Sequence, residues 1–207
     1  MLKFDADKHE YRYNGRLTSS VTGIISPLYN GSLANIPPAI LERKTQIGRA
    51  VHLATELHDQ DDLNEEGLDD VVRGYFNGYL KFLAENKCKW EGIEQRVYHK
   101  AHQYAGTLDR VGVINGKKAI ADLKTVAVVS APTAIQLSAY EQANMEDGDK
   151  ELRARIAIQL KPNGTYELYD FTMDDVRRKL KLSLPARSDF AVFLSCLTIS
   201  RFSGEAA

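Results

Sequence analysis

The dipeptide Asn115-Gly116 lies between two runs rich in aliphatic and β-branched residues, 108–114 and 118–123. Asn-Gly tolerates the positive φ angles of a type I′ turn, so the stretch reads as a β-hairpin. With Asn115 and Gly116 as the loop, Ile114 faces Lys117, and the ladder counted back from there sets Asp109 opposite Asp122. A four-residue loop closing on Val113 and Lys118 gives the same pairing. Directly opposed side chains of an antiparallel pair lie about 4.5–5.5 Å apart at Cβ, and like charges placed there are destabilising. Lys124, two residues beyond Asp122, projects from the same face by strand alternation. Two readings fit this patch. It is a solvated outer face on which Lys124 neutralises one aspartate, or both carboxylates hold a divalent cation, since hard cations such as Mg²⁺ take oxygen ligands.

Composition narrows the classes. At 207 residues with 43% hydrophobic content, the chain is long enough for one well-filled domain. No apolar run is long enough to span a membrane, and residues 1–5 carry no signal-peptide pattern. Cys88 and Cys196 are isolated, which suits a reducing cytoplasm and excludes a four-cysteine zinc or iron–sulfur site within one chain. The net charge of −1 argues against a general polyanion binder. That charge is uneven: residues 56–70 hold eight acids, whereas residues 100–124 hold five bases against two acids. A local phosphate-binding surface is therefore expected around the hairpin and the C-terminal helices.

In chain order, residues 2–5 and 9–13 read as a short hairpin, with Asn14-Gly15 as a closing turn. Ser20 is placed to cap a brief helix that Pro27 ends. Residues 30–38 read as loop, and helices are expected over about 39–58 and 66–85. In the second helix Val72, Tyr75, Phe76, Tyr79, Leu80 and Leu83 fit one buried face, which is core and not a cofactor box. A strand over 90–102 precedes the hairpin, and a helix over 130–144 follows it. Residues 152–160 alternate as a strand with one polar face does, and Pro162-Asn163-Gly164 turns them into a strand over 165–171. The last helical region is broken or kinked at Pro185.

Four blocks of this sequence, in this order, resemble the PD-(D/E)XK nucleases of the RecB-like exonuclease branch. That branch also includes the mitochondrial genome-maintenance exonuclease and small phage exonucleases. Gly48-Arg-Ala-Val-His52 resembles the branch's helical Gly-x-x-x-His block, and Gly106-Thr-Leu-Asp109 its first acidic motif. Asp122-Leu-Lys124-Thr125 is similar to the Asp-x-Lys motif, and Gln136-Leu-Ser-Ala-Tyr140 to the Gln-x-x-x-Tyr motif. Asp-x-Lys alone arises by chance in many proteins; the weight rests on order and spacing together. The Pro-Asp dipeptide of the superfamily's name is missing, as is usual in this branch. The cysteines that bind an iron–sulfur cluster in some relatives are absent, so no cluster is expected.

The resemblance implies an α/β restriction-endonuclease-like core, a central mixed β-sheet flanked by helices in αβββαβ order. One nuclease domain over 1–207 would carry an N-terminal hairpin and helix extension (about 1–36) and C-terminal helices (about 172–204). Asp109, Asp122 and the Leu123 carbonyl are then expected to bind Mg²⁺ or Mn²⁺, with His52 completing the site from its helix. Lys124 is the expected water-orienting or water-activating group, with Gln136 and Tyr140, at i and i+4 on one helix face, orienting Lys124 or the DNA. Glu94 is a further candidate ligand, with a solvated glutamate as the plain alternative. Arg49, Arg110, Lys117 and Lys118, joined by Arg177, Arg178, Lys179 and Lys181, are the candidate DNA-binding bases.

The activity implied is metal-dependent hydrolysis of DNA from an end, in bacterial or phage recombination or repair, in the cytoplasm of a bacterium or a phage-infected cell. A structure-specific endonuclease and a non-catalytic DNA-binding or assembly module are the alternatives. Retention of His52, Asp109, Asp122, Lys124, Gln136 and Tyr140 disfavours the last. A single-strand annealing or recombination protein is the protein partner such an enzyme would have, and some small exonucleases of the superfamily form rings around DNA. No Gly-x-x-x-x-Gly-Lys-Ser/Thr motif occurs, so translocation powered by ATP is not expected from this chain.

Overall fold

The computed structural model describes residues 1–6, 8–29, 36–146, 151 and 153–204. A meander of three short strands, β1 (Leu2–Asp5), β2 (Glu10–Tyr13) and β3 (Arg16–Ser20), leads into a one-turn helix α1 (Val21–Ile25). Two longer helices follow, α2 (Pro38–Asp59) and α3 (Asp70–Glu85). The antiparallel strands β4 (Cys88–His99), β5 (Tyr104–Ile114) and β6 (Lys117–Lys124) come next, then helix α4 (Pro132–Glu146). The chain closes with β7 (Ala154–Leu160), β8 (Tyr166–Asp170), α5 (Asp174–Lys179) and α6 (Asp189–Ser203). Most of the expected loop over residues 30–38 falls outside the described residues.

The eight strands form one mixed sheet. Strand β6 runs parallel to β7, β3 runs parallel to β5, and the remaining pairs are antiparallel. One hydrophobic cluster, including Ile24, Leu108, Ile120, Leu137, Tyr140 and Phe193, fills the side covered by α1, α4 and α6. A second, including Val51, Phe76, Phe82, Leu123 and Ile158, fills the side covered by α2 and α3. The expected stripe of α3 supplies the latter through Val72, Phe76 and Tyr79, and Phe82 joins it as an unanticipated buried anchor.

Two N-terminal details differ from expectation. Asn14-Gly15 turns β2 into a third strand, and β1 and β2 pair through a separate turn. The third strand then pairs with β5 at Ser19–Tyr104 and Ser20–Ala105, so the N-terminal segment is an edge of the main sheet and not an appendage. In β7 the polar face is buried. Arg155 pairs with Asp189 at 3.1 Å, and the Gln159 amide donates to the Val126 and Ala127 carbonyls at 2.8 and 3.0 Å. Clean alternation reads equally as polar residues facing water and polar residues facing buried partners far along the chain.

The feature that positions the site is a split along one edge of β5. Strand β4 pairs with β5 over nearly its whole length, from Cys88–Ile114 to His99–Tyr104. Both β3 and β6 must therefore share the opposite edge. Strand β3 holds Tyr104 and Ala105, while β6 holds residues 110–114. Residues 106–109 between them have no strand alongside on that edge, and the sheet opens there.

Candidate metal centre

The turn expected from Asn115-Gly116 is present, with φ of 51° and 81° at its two residues. Ile114 faces Lys117, and the ladder runs back to Arg110–Ala121. The next position brings Asp109 beside Asp122. There the backbone pairing stops, and the Asp109 carboxylate takes over: its Oδ2 accepts the Leu123 N–H at 2.6 Å. Across the other edge of β5, the β4 ladder matches Ile93 to Arg110 and Gln95 to Leu108, which brings Glu94 level with Asp109. Three carboxylates thus stand in a row across three adjacent strands. Glu94 has a φ of +46°, a left-handed conformation uncommon for a residue with a side chain. Side-chain alternation also breaks in β5 at this level. Leu108 packs with α1, α4 and α6, whereas Arg110 points to Asp59 and Thr55 of α2.

Helix α2 brings His52 against this row from the other side. Its Nε2 lies 3.0 Å from the Leu123 carbonyl oxygen, which can only accept, so Nε2 carries the proton. The other ring nitrogen, Nδ1, then faces Asp109 Oδ2 at 3.6 Å. A neutral imidazole would direct a lone pair at a carboxylate there, an arrangement that a proton or a metal ion between the two relieves. Ligand atoms of His52, Glu94 and Asp109 all lie within 4.8 Å of one another.

Asp122 is turned toward Lys124, whose ammonium is 2.8 Å from Oδ2. Asp122 Oδ2 and Glu94 Oε1 are buried oxygens, and each faces a cation, Lys124 at 2.8 Å and the Arg110 guanidinium at 3.6 Å. Lys124 also donates to Gln136 Oε1 at 3.0 Å, and the Gln136 amide donates to the Tyr140 hydroxyl at 3.3 Å. In this chain of contacts Tyr140 meets the amide and the amide meets the ammonium.

Burial pushes the Glu94 carboxyl up to about 8, with the Asp109 charge adding to it and Arg110 opposing. Burial likewise raises the Asp122 carboxyl, against the pull of Lys124. For Lys124, burial works against the charged form, but Asp122 outweighs it and holds the ammonium above its ordinary range. The group is thus a cation in this state and not the lowered, base-ready lysine that desolvation alone would give.

Two glycines of the motif blocks have packing reasons. A Cβ on Gly106 would lie 2.4 Å from the Tyr140 ring, so only glycine lets that ring close over the split in the sheet. A Cβ on Gly48 would lie 3.2 Å from Thr125 Oγ1, which sets how closely α2 approaches the end of β6. The whole constellation lines one cleft of about 630 Å³.

Several expected DNA contacts are corrected. Arg110 is fully buried. Its guanidinium donates to Asp59 Oδ2 and the Asp109 carbonyl, both at 2.6 Å, and to Thr55 Oγ1 at 3.2 Å, so it has nothing left to offer a phosphate. Lys117 and Lys118 are exposed but sit at the turn end of the hairpin, and Lys118 lies 2.6 Å from Glu151. From Lys118 to Asp122 is about 13 Å of strand. Arg177 is buried and doubly bonded to Asp189 at 2.8 Å, and Lys179 is held by Glu167 at 2.6 Å. Arg49 does line the cleft, as does Arg96, and both are exposed. Arg96 and Glu56 were missed in the sequence. Arg96 lies two residues along β4 from Glu94, and Glu56 lies one helical turn from His52, so each was reachable by simple periodicity.

No protein-family model matches this chain. No curated protein matches it either.

Proposed function

We propose that the chain is a divalent-metal-dependent deoxyribonuclease on a restriction-endonuclease-like core of the PD-(D/E)XK type, hydrolysing phosphodiester bonds from DNA ends. The observation that carries this reading is the row Glu94, Asp109 and Asp122 on three neighbouring strands, with ligand atoms of His52, Glu94 and Asp109 within 4.8 Å of one another. Anionic oxygens gathered away from water call for a cation, and the oxygen-rich set with one imidazole fits Mg²⁺ or Mn²⁺. Asp109, Glu94, His52 and Asp122 are the residues that would hold it, with the Leu123 carbonyl becoming available if His52 releases it. When bound, such a metal polarises a phosphate oxygen and lowers the pKa of water.

The remaining work falls to side chains whose places are fixed. Lys124, held as an ammonium by Asp122 and Gln136, directs its remaining donor capacity into the cleft, where it orients water or neutralises a phosphate oxygen. Asp122 keeps that ammonium beside the carboxylate row. Gln136 and Tyr140 hold its position, and Arg49 and Arg96 offer exposed positive charge to the flanking phosphates. Without a cation the acids would repel the substrate, so the same cluster that is unfavourable alone becomes a phosphate site once charged.

The test compares linear DNA with a covalently closed circle of the same sequence, in Mg²⁺ at low salt, with product lengths resolved. The linear form is expected to shorten progressively while the circle persists, and Asp122→Ala or Lys124→Ala is expected to abolish hydrolysis in a folded protein. Internal nicking of the circle would make the enzyme an endonuclease. Undiminished cleavage in EDTA would end the metal-dependent reading.

A further inference from the structure

A second cleft, of about 710 Å³, lies beside the first. Its walls include Arg16, Lys100 and Arg201 together with Tyr13 and Tyr98, and none of its lining residues is acidic. In a chain with 27 bases and 28 acids, three cations with no acid among the lining residues is a local excess, although the Glu146 carboxylate, which accepts the Lys100 backbone N–H at 2.6 Å, stands at its margin. Arg16 and Lys100 are exposed, and among the described residues no carboxylate lies within ion-pair distance of either. Arg201 is fixed by donating to the His102 carbonyl at 2.6 Å. The two tyrosine rings stack at 3.8 Å with an interplanar angle of 12°.

The two clefts adjoin on two strands. On β4, Arg96 lines the acidic cleft and Tyr98, two residues further, lines the basic one. On β2, Tyr11 lines the first and Tyr13 the second. In each case residues two apart share a strand face. Tyr98 stands four residues from Glu94 and Lys100 six, so along the chain the cleft begins about 13 Å from the carboxylate row and Lys100 stands about 20 Å from it. A B-form strand covers that longer distance in about six nucleotides.

We propose that this basic cleft holds the sugar–phosphate backbone of a DNA strand whose terminus lies at the acidic row; the proposal rests on reading that row as a nuclease site. The three cations supply the phosphate contacts, and Tyr13, whose inner face is taken by the buried Tyr98, has its outer face for a base, the combination by which single strands are held without sequence preference. A strand lying in both clefts passes over the N-terminal meander, where Phe4 packs on Arg96 and the Tyr11 hydroxyl meets Thr107 at 2.8 Å. The substrate is thereby a strand several nucleotides long and not a mononucleotide.

The experiment is binding of a labelled single-stranded 20-mer in EDTA, where nothing is cut, as a function of salt. The charge-reversed double variant R16E/K100E is expected to lose at least about tenfold in affinity at low salt. Its slope of log K against log salt should fall by about 1.4, two phosphates at roughly 0.7 each. The neutral pair R16Q/K100Q should lose less, and melting curves show whether each variant folds. The control K87E/K89E makes the same net-charge change near the opposite end of β4 and should bind within about twofold of the wild type. Wild-type affinity in R16E/K100E, or an equal loss in the control, would overturn the proposal, as would equal competition by polyglutamate. A wild-type protein that binds through this cleft but never cleaves with Mg²⁺ would leave the cleft standing and sink the nuclease reading. Cleavage by the wild type with unimpaired binding by R16E/K100E would sink the cleft alone.

Discussion

Asp109 and Arg110 are adjacent in the chain, both are buried, and they belong to opposite kinds of charge cluster. Around Arg110 every group has a partner. Asp59 accepts from the guanidinium and from the Tyr79 hydroxyl, both at 2.6 Å, and Thr55 accepts from Arg110 while donating to the His52 carbonyl. Around Asp109 stand three carboxylates with two cations at their margins, Lys124 at 2.8 Å from Asp122 and Arg110, already paired with Asp59, at 3.6 Å from Glu94, so the acids outnumber the bases. The first cluster is closed and ties α2 and α3 to the sheet. The second is open and left to something outside the chain. Burial of charge by itself does not mark a site; burial with an uncompensated remainder does.

The sharpest way to break this comparison is to remove one charge from each cluster. Arg110→Ala strands Asp59 in the interior, and losing one partner of a buried ion pair costs about 3–5 kcal/mol. Urea denaturation in EDTA should show a loss of that order. Asp109→Asn removes a charge from the open cluster, keeps an oxygen to accept the Leu123 N–H, and should leave the metal-free protein as stable as before or more so, because like charges no longer face each other. Its hydrolysis should nonetheless be lost. If Asp109→Asn destabilises the metal-free protein as strongly as Arg110→Ala does, both clusters are structural and the contrast is false.

The contrast also explains what the sequence did and did not disclose. The register of β5 on β6 was legible because Asn-Gly dictates the turn and the turn dictates every pairing behind it. The grouping of His52, Lys124, Gln136 and Tyr140 was legible only through motif order, since α2 lies far from β6 in sequence. Glu94 was reachable as a candidate, but its left-handed backbone was not, since nothing local to it demands that conformation. Arg110 was misread because its partners lie 51 and 55 residues away, so a buried arginine and a DNA-facing one look alike on a strand. Arg177 was misread on the same ground, since its partner Asp189 lies beyond the break at Pro185.

A pH series in EDTA sharpens the comparison at Glu94. Its carboxyl is pushed up to about 8 in the folded protein, against an ordinary value of 4.5. Between those values the folded state keeps a proton that the unfolded state has released. Stability must therefore fall as pH rises through this window, and the stabilisation present below 4.5 is lost by about 8. The change should amount to a few kcal/mol at most. Glu94→Gln cannot titrate and should flatten the curve, while loss of the Arg110 charge, which opposes the rise at Glu94, should extend the fall to higher pH. A wild-type protein equally stable at pH 5 and pH 8 would show that Glu94 is not confined with Asp109.

The smallest effect concerns His52, which sits where the two clusters touch. Thr55, bonded to its carbonyl, belongs to the closed network, while its ring faces the open one. As a brace, the ring donates one hydrogen bond to the Leu123 carbonyl, and His52→Ala would then cost about 1 kcal/mol of stability and nothing else. As a ligand, Nδ1 is directed at Asp109 with no other role for its lone pair, and its loss should weaken Mn²⁺ binding about tenfold, or about 1.4 kcal/mol. Calorimetry with Mn²⁺ in the absence of DNA separates the two, because the brace alone leaves the affinity unchanged while the melting temperature drops. His52→Gln refines the result: its amide can still donate to the Leu123 carbonyl but offers no imidazole nitrogen to Asp109's neighbour. Restored melting temperature with impaired Mn²⁺ affinity would place His52 in the open cluster, whereas recovery of neither would mean that the ring's packing, and not its nitrogens, is what α2 contributes here.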